Sequence, residues 1–267
     1  MEKMQVEIGD AELAVEIEGA GEPLLLIAGL GGRLAFWREQ REVFGEYFRV
    51  ILHDHRGTGA STRSLIDYSV EQMSRDVLAL MDALGIERAH LVGHSTGGAI
   101  CQTIALDNPE RADRMVLSAT WPGRDPWFDA LFALRLDVLK QCGPRAYLMD
   151  GTLRALPAAW LQQRGDQVET MVDDRLAEFP GETIEASRIA AIRAFDAGRQ
   201  ADAIRHRPLV ICAEDDQITP SSFSRGLAER IPGAQLEILP TGGHFMPQVC
   251  ADAYNRAVLD YLTGSRR

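Results

Sequence analysis

The sequence is short of positive charge, of paired cysteines and of long apolar runs, and each shortage excludes a class of protein. Lys and Arg number 28 against 39 Asp and Glu, so the formal net charge is -11 and most of the surface repels nucleic acid and anionic membranes. The cysteines form no C-x-x-C pair, which argues against a zinc knuckle or a redox dithiol. They are Cys101, Cys142, Cys212 and Cys250. We therefore expect buried free thiols, no metal and no cofactor.

Long apolar segments are also missing. The longest strongly apolar run, Leu24 to Leu30, is far short of the roughly 20 residues that a transmembrane helix needs. Met1 to Asp10 lacks the apolar run and the small-residue cleavage site of a secretory signal.

With 267 residues, 46% of them apolar, the chain can bury one large core. We expect a cytoplasmic location and a small-molecule substrate, no nucleic-acid or membrane partner, and we leave a homodimer open.

Short apolar runs alternate with helical periods along most of the chain. Met4 to Ile8 and Leu13 to Ile17 alternate apolar and polar residues around a Gly-Asp turn, which predicts an antiparallel hairpin at a sheet edge. Five nearly continuous apolar runs follow, as is typical of strands buried on both faces of a parallel sheet. They are Pro23 to Ala28, Phe48 to His53, Ala89 to Val92, Arg114 to Ser118 and Pro208 to Ala213. Helical periods at Val70 to Leu84 and Thr96 to Asp107 lie between them, so we predict an α/β fold with a mostly parallel, doubly wound sheet.

Residues 122–205 break this alternation. Four helical periods follow one another there, separated by glycine and proline. They are Asp129 to Gln141, Pro157 to Gln163, Val168 to Phe179 and Glu182 to Ala197. We interpret residues 122–205 as a helical insert, expected to cap a core domain made of residues 1–121 and 206–267. The core resumes with a helix near Ser222 to Arg230, a strand at Ala234 to Leu239 and a closing helix at Pro247 to Leu262.

A nucleophile is predicted in the segment HLVGHSTGGA, residues 90–99, where G-x-S-x-G has Ser95 at its centre. The pattern follows an apolar strand and opens a helix, which is the context of a nucleophile elbow. Such a turn strains the serine backbone, and a Cβ at Gly93 or Gly97 would crowd neighbouring backbone. The first helix amides then point to where a substrate oxygen would gain negative charge. The alternative is a glycine-rich turn with an incidental serine.

A serine hydroxyl needs a base, and histidine is the usual one because its pKa lies near 6.5. His244 follows the last predicted strand, at the carboxyl edge of the sheet where the elbow also opens. His94 adjoins the serine and is expected to line the pocket or to pack beneath it. His53 and His55 end an earlier strand and could reach the rim. We predict His244 as the general base, with an ordinary loop histidine as the alternative.

We expect the acid that orients this histidine to follow another strand and to precede His244. When the nucleophile lies on an elbow of this kind, the three catalytic residues follow the chain order Ser, Asp or Glu, His. The segment ICAEDDQITP, residues 211–220, supplies Glu214, Asp215 and Asp216 at that place. The acid would hold the imidazole in one tautomer and stabilise the imidazolium. A solvated acidic loop is the alternative for all three.

Backbone amides for an oxyanion hole are expected in AGLGG, residues 28–32, because this glycine-rich turn follows the first buried strand. We predict the amides of Leu30 and Thr96 as donors. A phosphate-binding loop is the competing interpretation, but no Lys-Ser or Lys-Thr follows and no G-x-G-x-x-G is completed.

The predicted pocket combines this turn with aromatic residues from the start of the insert. Its expected wall is Gly29, His94, Trp121, Trp127, Phe128 and Phe132, although aromatics in a helical insert are as often core. A second glycine-bearing loop, HDHRGTGAS at residues 53–61, is expected to be structural, with Asp54 and Arg56 bracing its turn as a charged pair.

Together these motifs resemble the α/β-hydrolase family, in that family's order and from about Met4 to Leu262. They are AGLGG at Ala28, DHRGTGAS at Asp54, GHSTGG at Gly93, AEDDQITP at Ala213 and GGHFMP at Gly242. Within the family the chain is most similar to the aminoacrylate hydrolases of the Rut pyrimidine-utilisation pathway and to 3-oxoadipate enol-lactonases. AGLGG, the LPAAW segment at Leu156 and ICAEDD support that similarity.

The resemblance also bears on two site residues. The spacing from Asp216 to Pro220 resembles the D-x-x-x-P loop that carries the catalytic acid in many α/β-hydrolases, which implies Asp216, with Asp215 as the alternative. Ala28 stands where many relatives have the His of a His-Gly pair, and this departure leaves the geometry of the oxyanion loop open.

The predicted activity is therefore that of a serine hydrolase. Ser95 would accept an acyl group from a small ester, an enol-lactone or a C–N compound such as an amide or carbamate. A haloalkane dehalogenase needs a carboxylate at the elbow, so Ser95 argues against it. The alternatives are a cofactor-free haloperoxidase or lyase of the same fold, or a non-catalytic receptor for a small ligand.

Overall fold

The computed structural model describes residues 1–197 and 200–265, apart from the side chain of residue 166. Residues 198, 199, 266 and 267, which fall within the ranges expected for the insert and the core, lie outside the described residues. The strands are β1 (Glu2–Glu7), β2 (Glu12–Glu18), β3 (Pro23–Ile27), β4 (Arg49–His53), β5 (Ala89–His94), β6 (Ala112–Ser118), β7 (Leu209–Ala213) and β8 (Gln235–Leu239).

The strands form one sheet in the order β1-β2-β4-β3-β5-β6-β7-β8. β1 pairs antiparallel with β2, and β2 pairs antiparallel with β4. All later neighbours in this order are parallel. The predicted α/β fold, with a mostly parallel sheet and an N-terminal antiparallel hairpin at its edge, is confirmed.

Helices cover both faces of the sheet. They are α1 (Arg38–Gly45), α2 (Val70–Ala83), α3 (Thr96–Asp107), α4 (Pro126–Ala155), α5 (Ala158–Gln162), α6 (Val168–Ala177), α7 (Glu182–Ala194), α8 (Ser221–Arg230), α9 (Met246–Val249) and α10 (Ala251–Leu262). α1 and α10 pack their buried side chains into one apolar cluster, and α2 and α3 pack theirs into the other. α1 was not predicted; it follows a short 3-10 turn at Leu34–Trp37.

Successive residues of β3 pack alternately into the two apolar clusters on opposite faces of the sheet. Leu24 and Leu26 of β3 belong to the cluster beneath α1 and α10, and Leu25 and Ile27 belong to the one beneath α2 and α3. All four side chains are fully buried. An apolar residue is therefore required at every position, which explains why the parallel strands read as continuous apolar runs.

The insert enters the chain between β6 and β7 and contains α4, α5, α6 and α7. The Asp125 side chain begins α4 by accepting from the amides of Trp127 and Phe128, at 2.9 and 3.0 Å. The helical periods were predicted to break at Gly143-Pro144, and α4 does consist of two helical segments that meet there at a kink, the second reaching Ala155. Gly143 has φ 83°, a left-handed conformation that lets the chain turn before Pro144 restarts the helix.

The expected pair between Asp54 and Arg56 is not formed. The Arg56 guanidinium instead donates from Nε and Nη2 to the two carboxylate oxygens of Asp76 on α2, at 3.0 and 2.9 Å. Asp54 accepts from the backbone amides of Leu34 and Ala60, both at 2.9 Å. A carboxylate at a tight turn satisfies nearby amides first, so Asp54 does brace its loop, but through backbone amides and not through Arg56.

Candidate active site

The predicted site residues meet at the carboxyl edge of the sheet because each one follows a parallel strand. The glycine loop follows β3 and Ser95 follows its neighbour β5, whereas Asp216 follows β7 and His244 follows its neighbour β8. The chain leaves β3 towards β4 on one side and β5 lies on the other, so this edge is also the topological switch point of the sheet.

Ser95 has the strained backbone of a nucleophile elbow. Its φ of 55° and ψ of -115° place a non-glycine residue at positive φ. The turn is held by a hydrogen bond from the Ser95 amide to the Ser118 carbonyl, at 2.8 Å. A Cβ at Gly93 would lie 2.2 Å from the Gly97 carbonyl oxygen, and one at Gly97 would lie 2.1 Å from the Ile27 carbonyl oxygen. Both glycines are therefore needed for the turn to pack against β3 and α3.

His244 is oriented by Asp216. Its Nδ1 lies 2.8 Å from Asp216 Oδ2, and both side chains are buried. Asp216 Oδ1 accepts from the amides of Ile218 and Thr219, at 2.7 and 2.9 Å, and the Thr219 hydroxyl lies 2.9 Å from Oδ2. With Nδ1 facing a carboxylate, the proton of the neutral ring resides on Nδ1 and Nε2 is left as an acceptor. Thr219 was not predicted as a site residue. It lies next to the Asp216 carboxylate because the turn at residues 216–219 brings it there.

Asp215, the alternative acid, has a different task. It accepts from the Thr241 hydroxyl at 2.6 Å and from the Gly243 amide at 2.8 Å. Asp215 therefore anchors residues 241–243 of the loop that carries His244. Glu214 forms a surface ion pair with Arg225 at 3.1 Å.

Ser95 and His244 face one cavity, together with Gly29, Leu30 and His94. Among the residues that the structure describes, the Ser95 hydroxyl and the His244 ring do not form a hydrogen bond with each other. Such contacts are often long or poorly aligned without substrate and tighten when it binds. Ser95 and His244 thus lie at one cavity wall with Asp216 buried behind the His244 ring, and no hydrogen bond joins the Ser95 hydroxyl to that ring.

Two backbone amides are available beside Ser95. Of the described residues, none accepts a backbone hydrogen bond from the amide of Leu30 or of Thr96, the first residue of α3. A Cβ on Gly29 would be 3.1 Å from Ser95 Cβ, so the glycine loop lies directly against the elbow. Free amides at a helix start and in an adjacent loop can stabilise negative charge on an oxygen.

His94 lies beside His244, and its burial favours the neutral ring. Burial lowers the pKa of its imidazole well below the ordinary value, and the His244 ring, 4.9 Å away between centroids, acts in the same direction. His94 Nδ1 lies 3.1 Å from Ser118 Oγ, and its ring stacks on Phe36 at 4.6 Å.

The cavity has a volume of about 300 Å³. Of the six predicted wall residues, Gly29, His94 and Phe132 line it, and three do not. Trp121 and Phe128 are buried and stack on each other at 4.7 Å, and Trp127 is half exposed. The first turn of α4 faces the core and the solvent, and only the next turn, with Phe132, reaches the cavity. His53 and His55, which from their place at the end of a strand could have reached the rim, are buried and do not line the cavity.

The roof of the cavity comes from the insert and combines apolar side chains with several polar and charged ones. It includes Arg135 and Tyr147 of α4, Arg175 of α6 and Glu185 of α7. None of these four residues could be predicted from the sequence, because helical periodicity shows which residues share a face but not which cavity that face meets. No helix in the described part of the chain is long and apolar enough to cross a bilayer.

Comparison with known proteins defines the class of protein. A family model described as alpha/beta hydrolase fold matches residues 22–247, so the chain belongs to the α/β-hydrolase fold family. It is a hydrolase enzyme, since its curated relatives are hydrolases. The chain is 41% identical, over 91% of either chain, to a protein of Caulobacter sp. (strain K31) with the assigned name carbamate hydrolase RutD.

Two further relatives agree with this class. The RutD protein of Variovorax paradoxus (strain S110) is 40% identical over 94% of this chain and 96% of its own. The solved structure of the enol-lactonase from Burkholderia xenovorans LB400 has a TM-score of 0.88 and 30% identity, and covers 97% of this chain and 100% of that one. The resemblance of the sequence to hydrolases of the Rut pathway and to enol-lactonases is confirmed.

Proposed function

We propose that this hydrolase acts through a Ser-His-Asp triad, with Ser95 as nucleophile, His244 as general base and Asp216 as the orienting acid. The strongest single observation is the 2.8 Å contact between His244 Nδ1 and a fully buried Asp216 carboxylate, at a wall shared with the strained Ser95. A carboxylate at Nδ1 directs Nε2 towards the cavity, where the serine hydroxyl is its natural partner.

The proposed reaction has two halves. His244 Nε2 takes the Ser95 proton while Oγ bonds to the substrate carbonyl carbon, and the oxygen that becomes negative is held by the amides of Leu30 and Thr96. The imidazolium then protonates the leaving alcohol or amine as its bond to carbon breaks. Water attacks the acyl-enzyme in the same way, giving up a proton to His244, and Ser95 leaves with that proton.

The substrate class follows from the cavity and from the relatives. A volume of about 300 Å³ admits a small ester, an enol-lactone or a C–N compound such as an amide or carbamate. The assigned names of two relatives, a carbamate hydrolase and an enol-lactonase, support the same range. We further propose a cytoplasmic enzyme whose partner is this small molecule, with residues 122–205 as a cap over the site.

Replacing Ser95 tests the proposal. The Ser95→Ala protein is expected to lose roughly a millionfold in kcat on p-nitrophenyl acetate, because the other triad members contribute little without the nucleophile. Ser224→Ala is the matched control, since Ser224 is a buried serine of α8 that does not line the cavity. Near-normal hydrolysis by Ser95→Ala would exclude the triad.

The same preparation separates the alternatives. Peroxide-dependent halogenation or cyanohydrin cleavage that exceeds ester hydrolysis would favour a haloperoxidase or a lyase. A single slow turnover with tight retention of the ligand would favour a receptor. Repeated turnover of esters, lactones or amides that disappears in Ser95→Ala is the result that we expect.

A further inference from the structure

The end of β6 and the two residues after it, the 118–120 segment, hold the nucleophile elbow from one side. The Ser118 carbonyl accepts from the Ser95 amide at 2.8 Å, and the Thr120 hydroxyl donates to the Ser95 carbonyl, also at 2.8 Å. The segment therefore bonds to both backbone polar groups of Ser95. All three of its residues are fully buried, so the position of the elbow is coupled to theirs.

Ala119, at the centre of this segment, has a strained backbone. Its φ of 44° is positive, a conformation that among the described non-glycine residues is otherwise found only at Ser95. The Ala119 amide still donates to the Ile211 carbonyl of β7, at 2.8 Å, but no backbone amide in the described chain donates to the Ala119 carbonyl. This carbonyl is thus directed out of the sheet ladder, and a buried carbonyl needs another donor.

The Thr219 hydroxyl is that donor. It is fully buried and lies 2.9 Å from the Ala119 carbonyl oxygen, 2.9 Å from Asp216 Oδ2 and 3.2 Å from His244 Nδ1. A hydroxyl has one proton to give, and here it faces two acceptors. Asp216 Oδ2 already accepts from the His244 ring, whereas the Ala119 carbonyl depends on this hydroxyl, so we assign the proton to the contact with Ala119. The hydroxyl oxygen then offers a lone pair beside the Nδ1 proton of His244.

We propose that Thr219 is a positioning residue, which holds the His244 ring in register with Ser95 through the strained 118–120 segment. This inference rests on the proposed function, because it assumes that Ser95 and His244 react with each other. The segment bonds to Ser95 on one side and to Thr219 on the other, so the nucleophile and its base are tied to one piece of buried backbone. Such a tie affects rate, since a misplacement of about 1 Å can cost roughly 100-fold.

Two substitutions of Thr219 test the role of its hydroxyl. Thr219→Val keeps the branched shape and removes the donor, whereas Thr219→Ser keeps the hydroxyl. We expect kcat/KM on p-nitrophenyl acetate to fall roughly 10- to 100-fold in Thr219→Val and to stay within about threefold of the wild type in Thr219→Ser. A Thr219→Val protein as fast as the wild type, or a Thr219→Ser protein as slow as Thr219→Val, would overturn the proposal.

Thr103→Val is the matched control. The Thr103 hydroxyl is also buried and also donates to a backbone carbonyl, that of Ala99, at 3.1 Å, but Thr103 does not line the cavity. Its removal is expected to change kcat/KM by less than about twofold. A loss in Thr103→Val as large as that in Thr219→Val would show a general effect of losing a buried hydroxyl and overturn the proposal.

A double substitution separates positioning from a role in folding alone. If Thr219 acts through the Asp216–His244 pair, its removal matters little once that pair is disabled by Asp216→Asn. Thr219→Val is therefore expected to lower kcat/KM by less than about threefold in the Asp216→Asn background. The same fold loss in the Asp216→Asn and wild-type backgrounds would show a merely structural role and overturn the proposal.

A spectroscopic measurement keeps this inference separate from the triad, because it needs no turnover. The Nδ1 proton of His244 is buried against a carboxylate, so its proton NMR signal is expected far downfield, assigned by its absence in His244→Gln. Its exchange with water is expected to be at least about tenfold faster in Thr219→Val than in the wild type, and unchanged in Thr103→Val. Equal exchange rates in Thr219→Val and the wild type would remove the positioning role even if the triad stands. If Ser95→Ala keeps its esterase activity, the triad is wrong, while these rates still decide whether Thr219 holds the His244 ring.

Discussion

At the scale of single residues, the catalytic proposal depends on how the His244 ring is held. Asp216 accepts from two amides and lies 2.9 Å from the Thr219 hydroxyl, and its Oδ2 lies 2.8 Å from His244 Nδ1. The Asp216 carboxylate is thus held in position by residues of its own loop, independently of its contact with the His244 imidazole. A ring held at Nδ1 can still rotate slightly to close the open contact with Ser95 when a substrate binds.

The Asp216→Asn protein tests this role. Its amide can still accept the two backbone hydrogen bonds, but it favours the His244 tautomer with the proton on Nε2, which cannot serve as a base. We expect kcat on p-nitrophenyl acetate to fall by roughly four orders of magnitude, with the melting temperature nearly unchanged. Asp215→Asn is the control, because that residue only anchors the 241–243 segment. A loss in Asp215→Asn as large as that in Asp216→Asn would contradict the assignment of the acid.

At the scale of elements, α7 joins the insert to the glycine loop of residues 28–32 through one side chain. Arg188 is fully buried and donates from Nε and Nη2 to the Leu30 carbonyl, at 3.2 and 2.9 Å. Its Nη1 donates to the Arg56 carbonyl at 3.1 Å. The orientation of the loop that carries the Leu30 amide is therefore set from the insert.

Replacing Arg188 with Lys is expected to affect both stability and rate. A single ammonium group cannot reach the same carbonyls, so we expect the free energy of unfolding to fall by about 2–3 kcal/mol and kcat/KM to fall at least tenfold as the Leu30 amide shifts. Urea unfolding and ester kinetics measure the two effects. Arg193→Gln on the same helix is the control, since Arg193 forms a surface pair with Asp129. Loss of stability with an unchanged kcat/KM would limit Arg188 to a role in folding.

The elements also show how far the site could be predicted from the sequence. The alternation of strands and helices places strand ends on one edge, and this was enough to bring together Ser95, His244 and the acidic segment that contains Asp216. The contributions of α4, α6 and α7 were not predictable in this way. A helix with polar residues on several faces, as around Arg135 and Arg175, does not reveal which of them faces the cavity, because the packing angle of the insert on the core decides it.

At the scale of the whole molecule, the core contains histidines that folding forces to be neutral. His53, His55 and His94 are buried near the carboxyl edge of the sheet. Burial lowers the pKa of His53 to about 4 and those of His55 and His94 well below their ordinary value. Arg188 Nη2 lies 3.2 Å from His55 Nδ1, an arrangement that needs a neutral ring to accept the hydrogen bond. Folding therefore favours the unprotonated state of these three rings.

Acid is consequently expected to destabilise the fold already between pH 7.5 and pH 5. The His53 pKa is about 4 in the folded state and roughly 6.5 in the unfolded chain, so the unfolded state binds the extra proton between these pH values and stability falls as the pH falls through that window. From pH 7.5 to pH 5, His53 alone is expected to lower the free energy of unfolding by about 2 kcal/mol. Urea unfolding measures the free energy of unfolding at both pH values. In His53→Gln its decrease from pH 7.5 to pH 5 should be smaller by about that amount than in the wild type. The control is His206→Gln, which replaces a half-buried histidine and should show the same decrease as the wild type. The same drop in His53→Gln as in the wild type would mean that buried His53 is not the group that acid titrates.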